Sequence, residues 1–244
     1  MWKEVVTFLS FGKFMGGFFF HGWGGDGREE QLLEYVLKNA ERGNPQSVIQ
    51  AVDEFARSGT WFMNVGEEKG RILDSSIAKK NPQLLLELGT YCGYSAVRMA
   101  ANLKHPDSKL ISLELTPHIA DIARRIIDHA GLSSKVEVLL APLSRQIDTI
   151  KSTLAKTNGQ CFDFVFVDHD KDLYLPDYLL LKEKGLIDEG SVIFADNMGF
   201  PGSPKFWSYI QSHPQELETE VHKSAVEYIS WIRDTVTVST FHKL

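Results

Sequence analysis

Five short runs, Leu84 to Leu88, Lys109 to Leu113, Val136 to Leu140, Phe162 to Val167 and Ser191 to Ala195, read as strands, with helical patterns between them. They are apolar without regular polar alternation, the mark of strands buried on both faces in a parallel sheet covered by helices. Two further strand-like segments, Glu216 to His222 and Thr235 to Thr240, follow with no convincing helix between them. A doubly wound α/β fold is predicted, with a mostly parallel seven-stranded sheet that ends in an antiparallel strand pair.

Residues 1 to 23 are rich in Phe and Trp but are interrupted by Lys3, Glu4 and Lys13. The uncharged run from Phe14 to Gly25 falls short of the roughly 18 residues that suggest a membrane span, and no small-residue cleavage site follows it. Residues 1–25 are therefore expected to form an extra helix or arm that lies on the fold or on a membrane surface, with a weak membrane anchor as the alternative.

Leu32, Leu33, Val36, Leu37 and Ala40 fall at helical spacing before the stop written by Gly43, Asn44 and Pro45. A second amphipathic helix starts at Ser47, carries Val48, Val52 and Phe55 on one face, and ends at Ser58-Gly59. Helices between the strands are expected around Ser95 to Leu103, Pro117 to Ala130, Gln146 to Ala155 and Tyr174 to Lys184. With no repeat, low-complexity stretch or linker, residues 26–244 read as one domain.

Composition narrows the function. The 244 residues are 43% hydrophobic and 24% charged, as in a soluble globular chain, and the formal charge is -6, from 26 Lys+Arg against 32 Asp+Glu. An acidic balance removes the attraction that sequence-independent nucleic-acid binding relies on, so a small-molecule partner is expected. Cys92 and Cys161 form neither a disulfide framework nor a zinc motif, which points to a reducing compartment, the cytosol. Nothing in the sequence demands more than a monomer.

The first strand runs into Gly89-Thr90-Tyr91-Cys92-Gly93-Tyr94-Ser95. In an open parallel sheet, ligands bind beyond the carboxyl ends of the strands, where a tight glycine turn admits them to the backbone. Tyr91 stands where the dinucleotide fingerprint would have its second glycine, so a cofactor without phosphates fits better. Glu114 ends the second strand about twenty residues further on, where such folds hold a ribose by its hydroxyls. Ser95 and the start of its helix suit the carboxylate of an amino-acid-like cofactor. The bland alternative is a surface acid and a simple turn.

The fourth strand runs into Asp168-His169-Asp170-Lys171-Asp172 and the fifth into Asp196-Asn197. Asp168, Asp196 and Asn197 are placed to converge as three hard oxygen ligands, a set that favours Mg²⁺ over zinc. Asp and Asn also cap ordinary strand ends, although two facing carboxylates without a metal would repel. Lys171, three residues past Asp168, is expected to face the same site, where a cation and partial burial would lower its pKa toward general-base use. His169 is equally at home as a packing residue.

With these residues in view, the sequence resembles the catechol O-methyltransferases, within the S-adenosylmethionine-dependent methyltransferases and their Rossmann-like fold. The similar stretches run from about Glu29 to Thr240: Trp61 with Met63-Asn64-Val65-Gly66, Leu86 to Ala100, Asp168-His169, Lys171-Asp172, Tyr174 to Asp177, Ala195-Asp196-Asn197, Pro201-Gly202 and Glu227-Tyr228. The resemblance implies that Asp168, Asp196 and Asn197 hold Mg²⁺, that Lys171 accepts the proton of the attacking hydroxyl, and that Glu227 hydrogen-bonds the other one. It implies Glu114 on the ribose, Val65, Gly89, Tyr91 and Ser95 around the methionine part of the cofactor, and Asp168 and His169 beside the nucleoside. Trp61, Met63, Pro201 and Val226 would wall the catechol ring, with Lys171, Asn197 and Glu227 also touching the substrate.

Two departures stand out: Asp170 where the family commonly has tryptophan, and Ala141-Pro142-Leu143-Ser144 in place of its small and polar residues near the adenine. Methylation of another vicinal diol, such as a caffeoyl compound or flavonoid, would use the same chemistry, and a scaffold protein without turnover is the reading of a different class. A nicotinamide oxidoreductase is disfavoured by Tyr91.

Overall fold

A computed structural model describes the backbone of residues 2–21, 26–156 and 160–244, and the side chains of 4–13, 26–156 and 160–244. Within residues 1–25, the helix α1 spans Trp2–His21, and residues 22–25 lie outside the described set. Among the described residues, no helix is long and apolar enough to cross a membrane.

The order continues with α2 (Arg28–Asn39), α3 (Pro45–Arg57), α4 (Gly66–Lys80), β1 (Leu84–Leu88), α5 (Tyr94–Ala101), β2 (Lys109–Glu114), α6 (Pro117–His129), β3 (Val136–Leu140) and α7 (Leu143–Lys156). It ends with β4 (Phe162–Val167), α8 (Tyr174–Glu183), β5 (Ile187–Ala195), α9 (Pro204–Ser212), β6 (Leu217–Val226) and β7 (Ile229–Phe241). The strands form one sheet in the order β3-β2-β1-β4-β5-β7-β6. β1 to β5 pair in parallel, while β7 runs antiparallel to both β5 and β6. This is the expected doubly wound sheet with its antiparallel end.

Alternation along the strands builds a core on each face. From β1, Leu85 packs with Phe164, Phe166 and Phe194 under α2 to α6, whereas Leu84, Leu86 and Leu88 pack with Val165, Val167 and Ile193 under α7 to α9. Helix starts follow local chemistry: the Asn44 side chain accepts the Ser47 N–H at 3.2 Å, with Pro45 in the first turn of α3, and prolines open α6 and α9 as well.

Two helices lie outside the sequence expectation. α4 presents only Leu73 and Ile77 as large apolar residues on its buried face, beside Lys69, and α9 is nine residues long with Phe206 and Ile210 inward. The final strands also run longer than expected, closing into a tight hairpin at Glu227-Tyr228, where Tyr228 has φ 60.

Candidate active site

The parallel strands end side by side, and hydrogen bonds carry the ladder past their ends. The Asp168 N–H donates to Leu88 O at 2.9 Å, Asp196 N–H to Val167 O at 3.0 Å, and Gly89 N–H to Leu113 O at 3.1 Å. Gly89 has φ +99, and a Cβ there would lie 2.4 Å from the Asp168 carbonyl oxygen, so only glycine lets these two loops touch.

Glu114 is buried and accepts three backbone N–H groups, from Tyr91, Leu115 and Thr116, each at 2.9 Å. The carboxylate is thereby fixed at the β1 turn. Tyr91 contributes that turn through a left-handed backbone (φ 45), while its phenol turns inward to Glu29 at 2.7 Å. Ser95 donates its hydroxyl to Glu87, which Ser112 also supports. Burial raises the Glu87 carboxyl to about 8, against the lowering by those two hydroxyls.

Asp168 accepts from Lys171 Nζ at 3.0 Å, and the same ammonium lies 2.6 Å from the Tyr174 hydroxyl, which donates to the Asp196 carbonyl at 3.0 Å. One chain of contacts thus ties the β4 and β5 ends together through Lys171. His169 stacks on Tyr174 with centroids 5.2 Å apart and bonds Asp177 through Nε2 at 3.0 Å, while its buried Nδ1 has no hydrogen-bond partner among the described residues.

The compact acidic group differs from the expected one. Asp196, Glu227 and Asp234 bring carboxylate oxygens within 4.8 Å of one another. Lys69, 1% exposed, sits among them, 2.7 Å from Asp196 Oδ1, 2.9 Å from Asp234 Oδ2 and paired with Glu227. Burial alone would lower the Lys69 pKa, but these carboxylates and Asp168 outweigh it and hold the ammonium well above its ordinary range. Burial pushes Asp196 well up and Glu227 up, each opposed by Lys69; Asp234, bonded also by Phe200 and Thr235 N–H, is held down.

Asp168 stands near this group, close enough to act on both Asp196 and Lys69, and Asn197 joins it through Nδ2, which donates to Asp234 Oδ2 at 2.9 Å. Asp196 Oδ2 is buried with no hydrogen-bond partner among the described residues. A hard cation fits this donor set, since an orphaned carboxylate oxygen costs about 1–3 kcal/mol unless a ligand satisfies it.

Trp61, Val226 and Ile229 form a small apolar cluster with Met63 packed against it. The Trp61 indole donates to the Glu227 carbonyl at 3.1 Å, which sets the apolar wall beside the buried acid. Pro201 follows Phe200 on the loop after β5 and is exposed. Tyr228 braces the hairpin, its hydroxyl 2.8 Å from Asp53, whose carboxyl burial raises to about 6.

Lys69 and Asp234 are site residues that the sequence reading passes over. The signal was available in register: Lys69, Leu73 and Ile77 are four residues apart and share one helical face, which places a lysine on a buried stripe. As for the departures, Asp170 is exposed and its side chain accepts the Asp172 N–H at 3.0 Å, capping the turn into α8, while Leu143 is buried in the core at the start of α7.

The family model described as O-methyltransferase matches residues 41–208. The chain belongs to the O-methyltransferase family. A catechol O-methyltransferase of Bos taurus is 43% identical over 204 residues, covering 84% of this chain and 73% of that protein. Catechol O-methyltransferase B of Danio rerio is 44% identical over 201 residues, 82% of this chain and 74% of that protein. Among solved O-methyltransferase structures, TomG of Streptomyces achromogenes, determined with S-adenosylmethionine, superposes with a TM-score of 0.65 at 22% identity, covering 86% of this chain and 94% of that one. The resemblance read in the sequence and the doubly wound sheet both stand for this O-methyltransferase.

Proposed function

We propose that this protein transfers a methyl group from S-adenosylmethionine to one hydroxyl of a catechol, in a site that also takes Mg²⁺. The observation that carries the reading is the buried Asp196 Oδ2, without a partner among the described residues, beside Asp168 and Asn197 and near Lys171, Glu227 and the Trp61–Val226 wall. The catechol relatives support the substrate class, and TomG's bound S-adenosylmethionine supports the methyl donor.

Asp168, Asp196 and Asn197 would hold the metal. The bound groups supply an electrophilic sulfonium methyl and a divalent charge that acidifies a neighbouring hydroxyl. The chain's own residues do the rest. Lys171, in its neutral amine form, accepts the proton of the attacking hydroxyl at Nζ, and Glu227 accepts a hydrogen bond from its neighbour through a carboxylate that Lys69 keeps in place. Trp61, Met63, Pro201 and Val226 hold the ring flat. Glu114 fixes the ribose; Val65, Gly89, Tyr91 and Ser95 lie around the methionine part; and His169, with its spare Nδ1, lies beside the nucleoside. Orientation of the two reacting atoms contributes most where water is excluded, as the burial of Asp196, Glu227 and Trp61 favours.

The test is mass spectrometry of the purified protein with S-adenosylmethionine and dihydroxybenzoic acid, with Mg²⁺ and then with excess chelator. Mono-methylated product that disappears with chelator is expected. Cofactor binding without product across several catechols would favour a scaffold, and transfer indifferent to chelator would remove the metal from the account.

The outer face of α1 is also proposed to touch a membrane surface. Leu9 is 66% exposed, with Val5 and Phe8 exposed on the same helix and the exposed Trp231 ring 5.8 Å from Phe8. Co-sedimentation with vesicles of mixed anionic and neutral lipid, lost in Leu9→Asp, is expected; equal sedimentation of both proteins would refute it.

A further inference from the structure

We infer that α1 roofs the catechol site and that Phe11 selects for apolar or aromatic ring substituents, an inference that rests on the catechol reading above. The helix is fastened independently of Phe11. Thr7 is buried, Ser10 Oγ accepts the Trp61 N–H at 3.0 Å, and Glu4 accepts the Ser230 hydroxyl at 2.9 Å. Val6 lies against Gly59, where a Cβ would come within 2.8 Å of its methyl group. These contacts bridge the segment before α4 to the β6–β7 hairpin, the two elements that carry Trp61 and Val226.

Phe11 then reaches over the walls. Its ring meets Trp61 edge-on, with centroids 4.8 Å apart and planes at 73°, and lies 6.2 Å from Phe200, the neighbour of Pro201. It packs on the cluster of Trp61, Val226 and Ile229. Phe11 therefore spans two of the walls assigned to the catechol ring. A catechol whose two oxygens face Lys171 and Glu227 points the rest of its ring away from the charges, toward this aromatic surface. An apolar or aryl substituent gains contact there, whereas a charged one loses hydration against aromatic faces.

The experiment is calorimetric titration of 4-phenylcatechol and of unsubstituted catechol into the protein with S-adenosylhomocysteine and Mg²⁺, for wild type, Phe11→Ala and Phe11→Leu, with thermal melts of each. Wild type should bind 4-phenylcatechol at least about tenfold more tightly than catechol, and Phe11→Ala should cut that ratio about fivefold to tenfold. Phe11→Leu should keep part of it, and decides the matter if Phe11→Ala does not fold. A ratio that Phe11 variants leave unchanged, both ligands weakened equally, or a wild type that binds the two alike would overturn the roof and leave the catechol reading standing. A wild type that binds no catechol at all would overturn both.

Discussion

Lys69 Nζ lies 2.7 Å from Asp196 Oδ1, and both side chains are 1% exposed. A lysine from the helix before the first strand thus neutralises the end of the fifth, at the point where a divalent cation is proposed to sit. With Glu227 and Asp234 on the same ammonium, Lys69 joins three elements, α4, β5 and the β6–β7 hairpin.

Removing Lys69 leaves three buried carboxylates without their cation. Breaking a buried pair from one side costs about 3–5 kcal/mol, so Lys69→Met should lose roughly that much in denaturant unfolding. A loss below about 1 kcal/mol would mean that the carboxylates are readily neutralised by protons.

Lys171 is proposed as the proton acceptor. Lys171→Ala should reduce kcat by about 10²–10⁴-fold while the cofactor Kd, read by calorimetry, changes less than about threefold. Equal losses in both would assign Lys171 to holding the β4 and β5 ends together through Asp168 and Tyr174 rather than to the chemistry.

Glu87 sets a pH dependence. Its folded pKa, raised to about 8 by burial, exceeds the ordinary 4.5, so between these values the folded state holds the proton that the unfolded state has lost. Stability therefore falls as pH rises through this window. Glu87→Gln, which keeps an uncharged side chain of the same size, should flatten the decline, and unfolding curves at pH 5, 7 and 9 would read it. A wild-type slope retained in the variant would place the titration elsewhere.

Gly89→Ala should cost more than about 2 kcal/mol, because the new Cβ meets the Asp168 carbonyl oxygen in a backbone conformation that L residues rarely adopt. Cofactor affinity should fall by at least tenfold with it. A variant of unchanged melting temperature and affinity would show that the two loops separate freely.

The central parallel strands were legible because burial on both faces keeps them largely apolar, and Phe162–Val167 matches its expected bounds. The turn at Gly89, the acid at Glu114 and the strand-end Asp168, Lys171, Asp196 and Asn197 were legible because chemistry at carboxyl ends sits at fixed offsets from such runs. α4 was legible only through the Lys69, Leu73 and Ile77 stripe, which Glu67-Glu68-Lys69 masks by reading as a solvated face although Lys69 is buried. Asp234 was hidden in the same way, as a charge inside β7 whose partner lies 165 residues away in sequence. The roof over Trp61 was beyond reach, because Phe11 belongs to a run whose helical register says nothing of where it docks.

The most direct measurement follows a labelled methyl group from S-adenosylmethionine to catechol and, in parallel, to phenol under Mg²⁺. The account predicts one labelled methyl on a catechol oxygen and almost none on phenol, since a single hydroxyl cannot face both Lys171 and Glu227. Equal labelling of the two, or labelled phenol alone, would contradict a site built for two neighbouring oxygens.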